Sequence, residues 1–228
     1  MNISKIKKLV EIDTPTVANG LELLGFRDPT AGYTGPDVRA LMPELGTRVG
    51  IAVTARMDTT TPGTHDVASL QPNWYKAMQE ASRGDGSETI PVFAVVESVG
   101  TRPNFTVTIG DMMATQMVMA GAVGYITNGC IRDIEGVRAV PLPCWGAGLS
   151  PMHGRMHWLD LNNTVIIDGM TVHPGDFIHA DVNGAIVIPH ELADQAYDKA
   201  MEIRDREAAT FARLHEPGMT LDKFLDTK

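Results

Sequence analysis

The chain has 228 residues, a length suited to one large domain rather than a multi-domain assembly. With 19 basic against 28 acidic residues its formal charge is -9 at pH 7, a field that opposes non-specific binding to nucleic acid and to anionic membranes. Hydrophobic residues at 43% allow a core, while Cys130 and Cys144 alone are too few for a disulfide framework or a four-thiolate zinc site and read as packed, reduced thiols.

The opening MNISKIKKLVEIDTPT puts acidic and polar residues where a secretory apolar segment would sit, and no apolar run approaches about 18 residues. A cytoplasmic chain is expected. Asp13 or Thr14 ahead of Pro15, with Gly25 as the stop, predicts a helix over 15–24. Val49, Ile51 and Val53 alternate as in a strand, and the polar DTTTPGTHD then predicts a loop over 58–68. Trp74, Met78 and Ala81 carry helical spacing from Gln71 to Arg83, and PVFAVVESV reads as a buried strand. Gly110-Asp111 opens a helix closed by Gly121; VGYIT is a strand, Asn128-Gly129 a turn, and CIRDIEGVR the start of another helix. Beyond it, VIIDGMTV and DFIHADVNGAIVIP, with Pro174-Gly175 and Asn183-Gly184 turns, predict a hairpin region. A charged helix follows from His190 to about His215, with Leu192, Ala196, Ala200 and Ile203 at helical intervals, and Thr220 starts a terminal turn. Strand and helix in alternation predict an α/β fold.

Two corners carry candidate chemistry. Asp111 stands where a helix begins, so it either caps that helix or shares its free amides, those of Met112 and Met113, with a carboxylate ligand. Arg132-Asp133 follows after twenty intervening residues and one helical crossover, so both corners can face one sheet edge. A guanidinium forks onto an anionic substrate and a neighbouring carboxylate suits a hard divalent ion, although an adjacent Arg-Asp pair alone is more often a surface ion pair.

Together, the GD-x20-RD arrangement, the hairpin PGDFIHADVNGAIVIP and the Arg-Glu-Ala near residue 207 resemble the RraA-like family over most of residues 10 to 225. That family includes divalent-metal-dependent aldolases for 4-hydroxy-4-methyl-2-oxoglutarate and 4-carboxy-4-hydroxy-2-oxoadipate, beside regulators of ribonuclease E activity. The resemblance implies a single α/β domain with a β/β/α swivelling-domain-like core, and a C-terminal helix, about 190–215, packing at a subunit interface of a homotrimer or hexamer. It implies that Asp133 ligates Mg2+ or Mn2+, Arg132 holds the keto acid end of a small oxo acid, and Asp111 holds metal-bound water. Gly110 and the amides of Met112 and Met113 would receive the substrate carboxylate, and Glu207 would arrive from a neighbouring subunit. Such a site cleaves a carbon–carbon bond to release pyruvate through an enolate, which also allows decarboxylation of oxaloacetate. The alternatives are a non-catalytic regulator that binds a ribonuclease or helicase partner, and another metal-dependent reaction on an oxo acid.

Three features depart from that pattern. The acid expected three positions beyond Asp133 is absent, since Gly136 stands there and Glu135 precedes it; a shift of one residue rotates a helical side chain by about 100°. The stretch from Asp58 to Thr89, with His65, Asp66, Asn73 and Trp74, is longer and more polar and reads as a lid or as a surface excursion. Asn19 replaces a common aspartate. His153 and His157 are four apart, but Pro151 and Gly154 argue against a helix that would aim them at one zinc ion. His173, His179 and His190 lie in or beside strands and read as structural.

Overall fold

The computed structural model describes residues 2–26, 28–62 and 70–226. Its helices are α1 (Ile3–Lys8), α2 (Thr14–Glu22), α3 (Leu70–Arg83), α4 (Asp111–Met119), α5 (Ile134–Ala139), α6 (Ala193–Leu214) and α7 (Leu221–Leu225). The strands are β1 (Arg39–Ala40), β2 (Arg48–Asp58), β3 (Val92–Val99), β4 (Val107–Ile109), β5 (Ala122–Thr127), β6 (Cys130–Ile131), β7 (Cys144–Gly146), β8 (Gly148–Leu149), β9 (His157–Leu161), β10 (Val165–Ile167), β11 (Met170–Val172), β12 (Phe177–Asp181) and β13 (Gly184–Ile188).

The main sheet runs β1-β7-β5-β3-β2-β12-β13, with β9 also on β2. Its centre, β2, β3, β5 and β7, is parallel, and each successive pair is joined by a crossover through α3, α4 or α5. Both faces of this centre are covered, which is why the middle of β2, Gly50–Val53, and the first five residues of β3, Val92–Val96, are unbroken apolar runs instead of alternating. On one face Val92, Ala94 and Val96 meet Trp74 and Met78 of α3, Ala114 and Met117 of α4 and Val137 of α5. On the other, Phe93, Val95 and Ile126 meet the hairpin residues Val165, Ile167, Met170 and Val172. That hairpin turns on Asp168-Gly169, both at positive φ, as a two-residue Asp-Gly turn requires.

A third cluster closes the β12–β13 end. Ile6, Leu9, Val17 and Leu21 from the first two helices pack with Phe177, Ile186, Ile188 and with Ala193, Ala196 and Ala200 of α6. The helix at 14–22 forms because the Asp13 side chain accepts from the Thr16 amide, 2.9 Å, with Pro15 in the first turn. Gly20 lets it lie against α6, since a Cβ there would sit 2.6 Å from the Ala200 nitrogen.

The expected helix over Gln71–Arg83 is present with Trp74 and Met78 fully buried in the core, which corrects the lid reading for this part of 58–89. His65 and Asp66 lie outside the described residues. A second correction concerns CIRDIEGVR. Its first two residues are strand β6, and the helix starts only at Ile134.

Candidate active site at two strand ends

The parallel strands β3, β5 and β7 each break and resume as a short strand, β4, β6 and β8, and these three form a small parallel sheet in the same order. At the break after β5, the Asn128 side chain accepts from the Ser98 amide, 2.7 Å, and donates to the Ser98 carbonyl, 2.8 Å. Below the small sheet, Tyr125 of the main sheet donates to Thr108 of β4, 2.7 Å, and burial pushes the Tyr125 phenol far above its ordinary range. Gly110-Asp111 and Arg132-Asp133 leave the carboxyl ends of the adjacent strands β4 and β6, where open parallel sheets bind ligands. The two corners are joined directly. The Arg132 amide donates to the Ile109 carbonyl, 3.1 Å.

They also interlock through glycines. A Cβ on Gly110 would lie 2.6 Å from Asp133 Oδ2 and 3.2 Å from Arg132 Nε, and one on Gly136 would lie 2.7 Å from the Cβ of Asp111 and 2.8 Å from its Oδ2. Each carboxylate therefore rests on the bare backbone of the other corner. Arg132 Nε and Asp133 Oδ2 are 3.1 Å apart, with side chains 38% and 41% exposed. Asp133 takes left-handed backbone angles, φ 55° and ψ 41°, and starts α5 without a side-chain cap. For a residue other than glycine this conformation costs about 1 kcal/mol, and in it the carboxylate makes no capping bond and lies beside Arg132.

Two corrections follow for Asp111. It is the first helical residue rather than the cap, which is Gly110, and its Oδ1 accepts from the Met112 amide at 2.7 Å. The Met112 amide is thus engaged by its neighbour's side chain instead of facing outward free. Met112 as a whole is 76% exposed.

Among the described residues no group of three His, Cys, Asp or Glu side chains is arranged to hold a metal ion. A site offering one or two carboxylates, its other positions left to water and substrate, suits Mg2+ or Mn2+ and not a caged zinc. The residues present therefore fit a hard divalent ion at Asp133. They do not fit a soft one, because Cys130 and Cys144 are buried, with both thiols pushed up by desolvation.

A family model described as RraA-like, Aldolase/RraA, matches residues 14–187. The chain belongs to the RraA-like family. A Hahella chejuensis protein provisionally named 4-hydroxy-4-methyl-2-oxoglutarate aldolase is 37% identical over 86 residues, covering 37% of this chain and 52% of that protein. An uncharacterized protein of Methanocaldococcus jannaschii is 30% identical over 116 residues, covering 50% and 56%. The chain thus spans about half the length of these curated relatives. Two crystal structures share the fold: an uncharacterized Pseudomonas syringae protein, TM-score 0.75 at 23% identity, covering 100% of this chain and 95% of its own; and RraAS2 of Streptomyces coelicolor, titled an unusual member of the RNase ES inhibitor RraA protein family, TM-score 0.74 at 24% identity, covering 93% and 98%.

In this RraA-like protein the remaining candidates lie elsewhere. Glu207 sits on the outer half of α6; only the first half of that helix, through Ala193, Ala196 and Ala200, is buried on the body, and from Arg204 onward nearly every residue is exposed. Among the described residues no hydrogen bond or ion pair links Glu207 to the corner. Glu135 turns outward, 82% exposed, onto Arg138 at 2.7 Å, and Arg138 also holds Glu44 at 2.7 Å. Asn19 is exposed on α2 near Glu22 and Tyr33. His153 lies just before a turn, its Nδ1 2.7 Å from the Gly154 carbonyl, while His157 begins β9, so the pair shares no helix face. The sequence reading missed the small sheet itself, because strands of two or three residues carry no periodicity.

Proposed function

We propose that the protein is a divalent-metal-dependent lyase that cleaves a carbon–carbon bond of a hydroxy-oxo acid to release pyruvate, using Mg2+ or Mn2+, with oxaloacetate decarboxylation as a related activity. The observation that carries this reading is the meeting of Asp111, Arg132 and Asp133 at the ends of β4 and β6, each carboxylate seated on the other corner's glycine. The provisional aldolase name of the Hahella relative supports it.

Asp133 would hold the ion, which supplies a Lewis acid for the keto oxygen. Arg132 meets Asp133 through Nε, so its terminal nitrogens remain to fork onto the substrate's keto acid end and to offset charge developing on the keto oxygen, an effect worth a few kcal/mol in a water-poor site. Asp111 orients the water that takes the proton from the substrate hydroxyl. Loss of that proton breaks the bond between the carbinol carbon and the methylene group. The bonding pair passes into the enolate of pyruvate, and protonation at its carbon completes the products. The substrate carboxylate faces the start of α4 at Gly110 and Met113, and it reaches the Met112 amide only if the Asp111 Oδ1 contact opens. Glu207 would complete the site from a neighbouring copy in a homotrimer or hexamer, its helix extending past its own body.

A panel of hydroxy-oxo acids and oxaloacetate, coupled to pyruvate detection, tests the reading. Release that is abolished by EDTA, restored by Mg2+ or Mn2+, and lost in Arg132→Ala supports it. Turnover unaffected by chelation or by Arg132→Ala contradicts it, and a non-catalytic regulator would release no pyruvate under any condition.

A further inference from the structure

We propose that Gly136 is a positioning residue: the missing side chain makes the space that holds the Asp111 side chain against α5, and an acid at 136 could not share that space. This rests on the metal-centre reading for its functional consequence, but its packing basis stands separately.

Gly136 lies inside α5 with ordinary helical backbone, so no positive φ calls for glycine there, and glycine is a poor helix former. Space is the remaining reason. A Cβ would meet Asp111 at Cβ, Oδ2 and Cγ, 2.7, 2.8 and 3.1 Å away. The helix cannot rotate to relieve this, because Val137 on it is fully buried in the core. Asp111 has little freedom of its own, since Oδ1 is bonded to the Met112 amide. The acid displaced to position 135 therefore leaves the inner face of α5 open for Asp111, which occupies the volume a side chain at 136 would need.

A double-mutant cycle on the full chain tests this, with thermal unfolding and Mn2+ titration of wild type, Gly136→Ala, Asp111→Gly and the double variant. Glycine is used at 111 because the Asp111 Cβ is itself part of the contact. The expected result is that Gly136→Ala lowers Tm and weakens Mn2+ binding tenfold or more when Asp111 is present. In the Asp111→Gly background the same change raises Tm, as alanine for glycine in a helix does, and leaves Mn2+ affinity unchanged. Should Gly136→Ala fail to fold, recovery of folding in the double variant supports the proposal. A similar loss in both backgrounds, or no loss in either, overturns it. A wild type that binds no Mn2+ while the Tm change still reverses sign would remove the metal reading and leave Gly136 as the determinant of the Asp111 side-chain position.

Discussion

Two polar clusters in this molecule are built in opposite ways. Around His179 every group is buried and answered: the Thr14 amide donates to Asp181 Oδ2 at 2.8 Å, His179 Nε2 lies 3.0 Å from the Leu9 carbonyl, and Nδ1 lies 3.0 Å from the Thr14 hydroxyl. The Leu9 carbonyl can only accept, so Nε2 carries the proton and Nδ1 accepts from Thr14. At the Asp111–Arg132–Asp133 corner the groups are half exposed, one is held in a left-handed conformation, and carboxylate and guanidinium keep spare bonding capacity. Satisfied buried polar groups hold a fold together, whereas unsaturated ones at strand ends have bonding capacity left over for a group outside the chain.

The largest expected effect separates the two functions of a residue. Asp133→Gly should abolish metal-dependent turnover, a loss of at least a hundredfold, while raising stability by about 1 kcal/mol, because glycine accepts the left-handed angles without strain. Pyruvate release and thermal unfolding on one preparation decide it. A Tm that falls together with activity would make Asp133 a structural residue.

The reverse holds at the buried cluster. His179→Ala should destabilise by about 3 kcal/mol, through a cavity and the unpaired Leu9 carbonyl, yet leave turnover per folded molecule unchanged. Denaturant unfolding checks the first part and activity at low temperature the second.

Protonation offers a gentler perturbation. Burial holds the His179 pKa below its ordinary value in the fold, so the unfolded chain takes up the proton first as pH falls. The contribution of this residue is complete above about pH 6.5, the unfolded value, and is lost below it as pH drops toward the folded pKa. Tm should therefore fall between pH 7.5 and 5.5, and His179→Gln should flatten that slope. The smallest effect belongs to Glu135→Ala, which removes one exposed ion pair to Arg138 and should change neither Tm nor turnover measurably. A large loss of activity there would return Glu135 to the metal site.

Much of this was legible in the amino-acid order because periodicity and capping act locally. Trp74 and Met78 announce α3 through spacing, Asp13-Thr14-Pro15 announces α2, and the GD-x20-RD interval amounts to one crossover between neighbouring strands. What stayed hidden depends on contacts distant in sequence. Cys130-Ile131 is strand only because β4 and β8 flank it, so alone it reads as the start of a helix. The engagement of the Met112 amide depends on a side-chain torsion of Asp111, and Gly136 acquires its meaning only from what lies against it. The outward turn of Glu135 was anticipated from helical rotation alone.

Titration with Mn2+, followed by its electron paramagnetic resonance signal, tests the centre of this account most directly. One Mn2+ bound per chain in the wild type, lost in Asp133→Asn and retained in Glu135→Ala, is the predicted outcome. Absence of binding in the wild type, or binding that is indifferent to residue 133, would contradict it.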